Sequence, residues 1–434
     1  MTRAQPQALI EPETRDPAPD VALAARLFEE LERRTAGTAG VTRASYGAGE
    51  ALAHEMVRRE GLRLGLRVET DHALNLYLTL PGRRPGPRIV IGSHLDSVPC
   101  GGNFDGAAGV LAGLAVAAGI IQAGVSPPCD LTIMAIRAEE SVWFNASYIG
   151  SRAAFGLLQP EELDGVVRSD DGLSLAAHVT AMGGDAAALR RREAFLQPQG
   201  IAAFIEPHIE QGPELIDRDA SVGIVTGIRG SFRYRSARAV GAYAHSGATP
   251  RRLRQDAVIA AARLGLALDD IWSRREAAGE DLAITLGQFS TDPREHGFSK
   301  VAGRVDFSID VRSQSEATLE SMRDELGELA LRITRESGVS FTLGPLTGST
   351  PARMNARIVA ALTRAAEANG CIAPLLPCGA GHDAAVFAAQ GVPTGMLFIR
   401  NANGSHNPAE AMSLADFAVA AGILMRFCLN DLRG

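Results

Sequence analysis

The chain has 434 residues, 46% of them hydrophobic and 21% charged, which sets it among folded globular proteins and suggests about two or three domains. Its 43 Lys and Arg stand against 50 Asp and Glu, a net charge of −7, so it lacks the cationic excess that binds nucleic acid and none is expected as a partner. Five cysteines, at 100, 129, 371, 378 and 428, form no CxxC pair; that scattered, odd set argues against a disulfide scaffold and for a reducing cytoplasm.

Residues 1–20 are polar and Pro-rich, without the apolar run of a signal peptide, and read as a flexible extension. Apolar residues then recur at helical spacing over Val21–Leu31, and a second helix is expected near Gly49–Leu62. Arg88–Ser93 reads as a buried strand. Gly106–Val125 carries no charge over twenty residues, long enough to cross a bilayer. It is rich in Gly and Ala, follows Asp105 directly and is the only such run, so it reads as a buried crossover helix over Gly106–Ala123, and no membrane association is expected. Leu131–Arg137 is a further strand. This alternation implies an α/β fold with a mixed sheet and helices on both faces. The middle differs. β character around 221–241, 283–290 and 301–312, with long helices at Asp256–Ala277 and Ser315–Glu336, suggests a smaller α/β domain at 224–346, inserted into a larger one made of 21–223 and 347–434. A helix at Met354–Ala368, a strand at Thr394–Ile399 and a helix at Leu414–Cys428 close the chain.

The chemistry concentrates in four turns. In GSHLDSVPCGGNFDG, Gly92–Gly106, His94 and Asp96 end a strand on the same side of the extended chain, so Asp96 can accept the second imidazole N–H of His94. The glycines at 101, 102 and 106 let the backbone turn and bring Asp105 back towards His94; a plain strand–turn–helix with an Asp cap would look similar. In RAEESVWF, Arg137–Phe144, Glu139 and Glu140 repel each other unless a cation lies beside them, although an isolated acidic turn would also serve. FIEPHIEQGPEL, Phe204–Leu215, sets His208 between Glu206 and Glu210, and NANGSHNPAE, Asn401–Glu410, offers His406 in a tight turn. Together His94, Asp105, Glu140, His208 and His406 can hold two divalent ions about 3.5–4 Å apart with one carboxylate bridging. Such a ligand set suits Zn, Mn, Co or Ni without choosing between them. Cys100 reads as a small residue packed in the Gly-rich turn, and Cys378 as lining a pocket or packing in the core.

HLDSVPCGGNFDG, AEE, HIEQGP, AHSGATPRRLRQDA, CGAGHDA and GSHNPAE together resemble the N-carbamoyl-L-amino-acid amidohydrolase and allantoate amidohydrolase family, a branch of the dinuclear-metal aminoacylase and carboxypeptidase group. The motifs run from about residue 92 to 410. The resemblance implies a metallopeptidase-like catalytic domain with an inserted lid and dimerisation domain, a homodimer, and two divalent metal ions per subunit. It implies that His94, Asp105 and His208 hold one metal and Asp105, Glu140 and His406 the other, with Glu139 as general base and Asp96 supporting His94. It further implies that His245 stabilises the oxyanion, that Arg312 clamps a substrate carboxylate, and that Gln211, Gly381 and His382 line the substrate pocket. The implied substrate is a small carboxylate-bearing ureido or amide compound.

Three positions depart from the family pattern. Ser299 stands where a substrate-binding Asn is usual, Ser141-Val142-Trp143-Phe144 replaces small residues followed by Arg-Phe, and Cys378 replaces a Ser. None removes a ligand or the base. The expected activity is hydrolysis of the linear C–N bond of an N-carbamoyl amino acid or related ureido acid, with an N-acyl amino acid or small peptide as the alternative substrate. A silent binding or scaffold protein would tolerate loss of ligands or base, and here all are present.

Overall fold

A computed structural model of the chain describes residues 16–430, so residues 1–15 of the expected extension lie outside the described residues. The chain divides into two compact units. Of the described residues, the first comprises 16–225, 354–376 and 382–430, and the second 226–353 with 377–381.

The first unit is built on a mixed sheet. Its strands run in the order Arg67–Thr70, Leu76–Leu80, Leu131–Ile136, Arg88–His94, Ile201–Ile209, Thr394–Ile399 and Val222–Ile228. The four from Leu131–Ile136 to Thr394–Ile399 are parallel, and the flanking pairs are antiparallel. Leu131–Ile136 and Thr394–Ile399 are buried along their whole length, as strands covered on both faces must be. Helices do cover both faces. Ala203 and Ile205 pack in one core with the helices Val21–Thr35, Ala107–Gln122 and Leu414–Leu429. Phe204, pointing the other way, stacks on Phe387 of the helix Asp383–Ala389 with ring centroids 3.6 Å apart.

The charge-free run is the buried crossover helix: every residue from Ala107 to Ile120 is buried. Its small residues let it sit against the sheet, and a Cβ on Gly109 would lie 2.0 Å from the Pro207 carbonyl oxygen. Among the described residues no helix is long and apolar enough to cross a membrane. Between Leu131–Ile136 and Ile201–Ile209, where the sequence reading assigned no element, five short helices between Ser141 and Arg190 enclose a satellite core that includes Phe144, Leu163 and Val179.

The second unit is a six-stranded antiparallel sheet centred on Gly230–Val240 and Arg304–Ser313. Burial alternates strictly along Arg304–Ser313, and Val305, Phe307, Ile309 and Val311 share a core with the helices Ala257–Ala277 and Glu316–Ser337. Asp256 caps the first helix by accepting the N–H groups of Val258 and Ile259, and Ser315 caps the second through Thr318. The unit continues past residue 346 because Leu346–Ser349 pairs with Gly230–Val240.

Candidate dinuclear metal centre

The four turns singled out in the sequence all leave the C-terminal ends of the parallel strands, where such sheets carry their sites. His94 and His208 sit at the ends of Arg88–His94 and Ile201–Ile209. Glu139 and Glu140 follow Leu131–Ile136, and His406 follows Thr394–Ile399. Asp105 returns just before the helix Ala107–Gln122. Gly106 makes that return possible: its φ is +67°, and a Cβ there would lie 2.5 Å from the His94 ring.

Two triads result, and they share Asp105. Asp105 Oδ1 lies 3.4 Å from His94 Nε2 and 3.1 Å from His208 Nε2, and the two nitrogens are 3.4 Å apart. Asp105 Oδ2 and Glu140 Oε1 each lie 3.4 Å from His406 Nε2. Donors about 2.0–2.1 Å from a tetrahedral ion stand about 3.3–3.4 Å from one another, so both triads have the size of a metal site.

The proton inventory points the same way. His94 Nδ1 faces the Asp96 backbone oxygen at 3.1 Å and its carboxylate at 3.3 Å; His208 Nδ1 faces the Ile209 carbonyl at 2.9 Å. Each neutral ring therefore carries its proton on Nδ1 and turns an Nε2 lone pair towards Asp105. Asp105 Oδ1 is buried there with no hydrogen-bond partner. With both rings neutral, three lone pairs converge there, and that is the donor set a cation satisfies. In the metal-free protein burial works against a charge on His94. The carboxylates of Asp105 and Asp96 nonetheless raise its proton affinity well above that of an ordinary imidazole.

Asp96 does more than orient His94. Its Oδ2 accepts from Ser45 Oγ at 2.6 Å and the Glu140 N–H at 3.1 Å, and its Oδ1 accepts the Glu139 N–H at 3.2 Å. One carboxylate thus fixes both a histidine ligand and the paired-glutamate turn. Burial pushes the Glu139 carboxyl well above the usual carboxylate range. His94 opposes that shift, while Glu140, Asp383 and Asp96 add to it.

A family comparison settles what this arrangement belongs to. The model of peptidase family M20/M25/M40 matches residues 90–430. The chain belongs to that family. M20 proteins are metal-dependent hydrolases. An N-carbamoyl-L-amino acid amidohydrolase of Geobacillus stearothermophilus is 36% identical over 401 residues, 92% of this chain and 95% of that one. An allantoate amidohydrolase of Escherichia coli K12 is 33% identical over 383 residues, 87% and 90% of the two chains. Among solved structures, a hydantoinase/carbamoylase family amidase from Burkholderia multivorans superposes with a TM-score of 0.86 at 27% identity, covering 95% of this chain and 98% of that one.

Within this M20 chain, Gln211 and His382 lie in the first unit with the triads. Gln211 Nε2 donates to Asp105 Oδ2 at 2.9 Å. His382 is buried, its ring centroid 4.3 Å from that of His208, and its Nε2 has no partner. Burial holds it well below the ordinary imidazole pKa, hence neutral, and any charge on the neighbouring His208 would push it lower still.

His245, Ser299, Arg312 and Gly381 fall in the second unit. Ala244–His245 pairs with Lys300–Val301, which sets Lys300 opposite His245, while the Ser299 carbonyl accepts the Ser246 N–H; His245 and Ser299 are both exposed. His245 Nδ1 accepts the N–H groups of Gly247 and Ala248 at 3.2 Å, so its proton is on Nε2, facing outward as a donor. Arg312 binds Asp310 through Nε and Nη2 and the Gly379 carbonyl through Nη1, and the rest of its fork is free for a further acceptor.

The departures sort themselves by burial. Trp143 is buried and donates to the Ser97 carbonyl at 2.8 Å, so it braces the HLDSV turn. Cys378 is buried. Cys100, expected to be packed, is exposed, in a left-handed conformation with φ 54°; the turn's own geometry turns the thiol outward.

Several supporting residues escaped the sequence reading. Glu410 accepts the N–H groups of Phe104 and Asp105 and binds Ser405, which in turn donates to Asp105 Oδ2. Arg43, fully buried, ties the Leu95 carbonyl to Asn103. Glu50 was legible in principle. It occupies the apolar face of its helix with Ala53, His54 and Val57, and a carboxylate at such a position needs a buried partner.

Proposed function

We propose that the protein is an amidohydrolase with two divalent metal ions per subunit, cleaving the linear C–N bond of an N-carbamoyl amino acid or related ureido acid. The observation that carries the reading is the single carboxylate of Asp105 shared between two metal-sized triads, with the unliganded Glu139 carboxyl on the adjoining turn. The names of the curated relatives support the ureido substrate class. Zn, Mn, Co or Ni as the metal, a homodimer and a cytoplasmic setting complete the proposal.

When bound, the ions would polarise the substrate carbonyl and acidify a water molecule. Glu139 takes the proton from that water and delivers it to the departing nitrogen, a task suited to a carboxyl whose pKa lies above the ordinary carboxylate range. Asp96 holds Glu139 and His94 in place for it. His245 offers its outward Nε2–H to the oxygen on which charge develops, and Arg312 offers its remaining fork to the substrate carboxylate. Neutral His382 and Gln211 contribute polar contacts to the substrate. Water adds to the carbamoyl carbon, and the products are the free amino acid, ammonia and carbon dioxide.

The test is ammonia release by protein reconstituted separately with each of the four metals. N-carbamoyl-L- and D-amino acids, allantoate and ureidopropionate form the panel, with amine release from N-acyl amino acids and dipeptides followed in parallel. Metal-dependent ammonia from a ureido compound, reduced by about 10²–10⁴-fold in Glu139→Gln with metal content unchanged, is the expected result. Amine without ammonia would replace the carbamoyl substrate by an acyl one.

A further inference from the structure

The turn that carries Glu139 and Glu140 has no ladder to hold it: Ala138 takes a left-handed conformation, φ 52°, which a residue with a Cβ adopts only when its surroundings impose it. Its backbone is nevertheless fully bonded. The carbonyls of Arg137, Ala138 and Glu139 accept the N–H groups of Gly150, Ile149 and Tyr148. On the other side three side chains accept the N–H groups: Asn75 that of Arg137 at 2.8 Å, Glu50 that of Ala138 at 2.8 Å, and Asp96 those of Glu139 and Glu140. Of these, Glu50 bears the least obvious relation to a metal site. It is fully buried on the helix Ala48–Arg63, and its second oxygen binds Arg137 Nη1 at 2.9 Å and the Tyr46 N–H at 2.7 Å. Arg137 Nε donates in turn to the Leu74 carbonyl. The ion pair therefore grips both the side chain and the backbone at the root of the turn, immediately before the glutamates.

We propose that Glu50, with Arg137, is a positioning residue that sets the placement of both Glu139 and Glu140. The inference rests on the roles proposed above for those two glutamates. It has a signature that a general loss of stability would lack. Glu140 belongs to the triad with His406, whereas His94 and His208 belong to the other and are not on this turn. Disturbing Glu50 should therefore weaken one metal site and spare the other.

Glu50→Gln keeps the shape but turns an NH₂ towards an array of donors. Metal-stripped protein titrated with Co(II), followed by its d–d absorption, should give a two-site isotherm. In the variant one site is expected within about twofold of the parent and the other weakened about 10–100-fold. With substrate, kcat should fall about a hundredfold at a nearly constant KM, as for a misplaced catalytic group. Arg137→Lys, which keeps the charge and leaves Glu50 on the Ala138 N–H, should move both readouts in the same direction by less, and it serves if Glu50→Gln does not fold. Co(II) affinities at both sites equal to the parent's, or equal weakening at both, would overturn the proposal. A parent that binds two Co(II) ions but releases neither ammonia nor amine would instead overturn the functional reading, and the Co(II) isotherms would still decide the role of Glu50.

Discussion

At Asp105 one carboxylate faces two groups of ligands, and the chemistry of each oxygen follows from what surrounds it. Oδ1 meets the lone pairs of His94 and His208, while Oδ2 meets His406, Gln211 and Ser405. The carboxylates of Asp105 and Asp96 hold the folded pKa of His94 up, and Nδ1 already faces Asp96, so the additional proton belongs on Nε2, the ligand atom itself. Below that raised pKa a divalent ion must displace this proton; above it there is none to displace. Metal binding at neutral pH should therefore release protons, and affinity should fall as pH falls. Calorimetry in buffers of different ionisation enthalpy measures the release, and a buffer-independent heat would refute it. Arg312 gives a second expectation. Its Ala variant should retain both metals while KM for carboxylate substrates rises about tenfold or more; an unchanged KM would reverse the proposed substrate orientation. The candidate ligands stood out because each lies in a short turn rich in Gly, Pro or carboxylates. Most of their supports did not: Ser45 donates to the Asp96 carboxylate and Glu410 accepts backbone N–H groups, all far away in sequence, and nothing local announces such partners; only Glu50, a carboxylate on an apolar helix face, left a trace.

The helix Ala107–Gln122 shows how an element of small residues serves the site at its N-terminal end. Its close approach to the strand Ile201–Ile209 fixes Asp105 relative to His208, and at Gly109 there is no room for a side chain against the Pro207 carbonyl. Gly109→Ala should cost about 1–3 kcal/mol by forcing strand and helix apart, read as a lowered urea midpoint, with metal affinity falling alongside. A variant as stable as the parent would mean that the helix can shift without cost. Apolar runs and Gly/Ala content were enough to place this helix and three of the four parallel strands; Ile201–Ile209 was missed, its apolar run being interrupted by Glu206, Pro207 and His208. Nor were those signals enough for the stretch between Ser141 and Arg190, whose five short helices each offer too few turns to show a period and are held by a local core instead. The strand Leu346–Ser349 was missed for a related reason: all four of its residues are exposed, so no alternation of burial marks it.

On the scale of the whole molecule, the two units have separate hydrophobic cores, and both triads lie in the first. Metal should therefore stabilise the units unequally. Scanning calorimetry is expected to resolve two transitions, of which only one rises when ions are restored. For each site, an excess of about a hundredfold over Kd contributes about 2.7 kcal/mol, or about 5–10 °C. A single transition would show that the units melt as one, and two that shift together would show that metal stabilises both. The distribution of the ligands along the chain has a consequence for synthesis. A polypeptide emerging from the ribosome carries His94, Asp105 and His208 long before His406 has been made. The first triad has its full set of ligands with barely half of the sequence translated, and the second waits for the last strand of the sheet. On the ligand assignment proposed above, loading with two ions is thus a property of the nearly finished chain, and a prematurely terminated product would be left able to take up one metal at most.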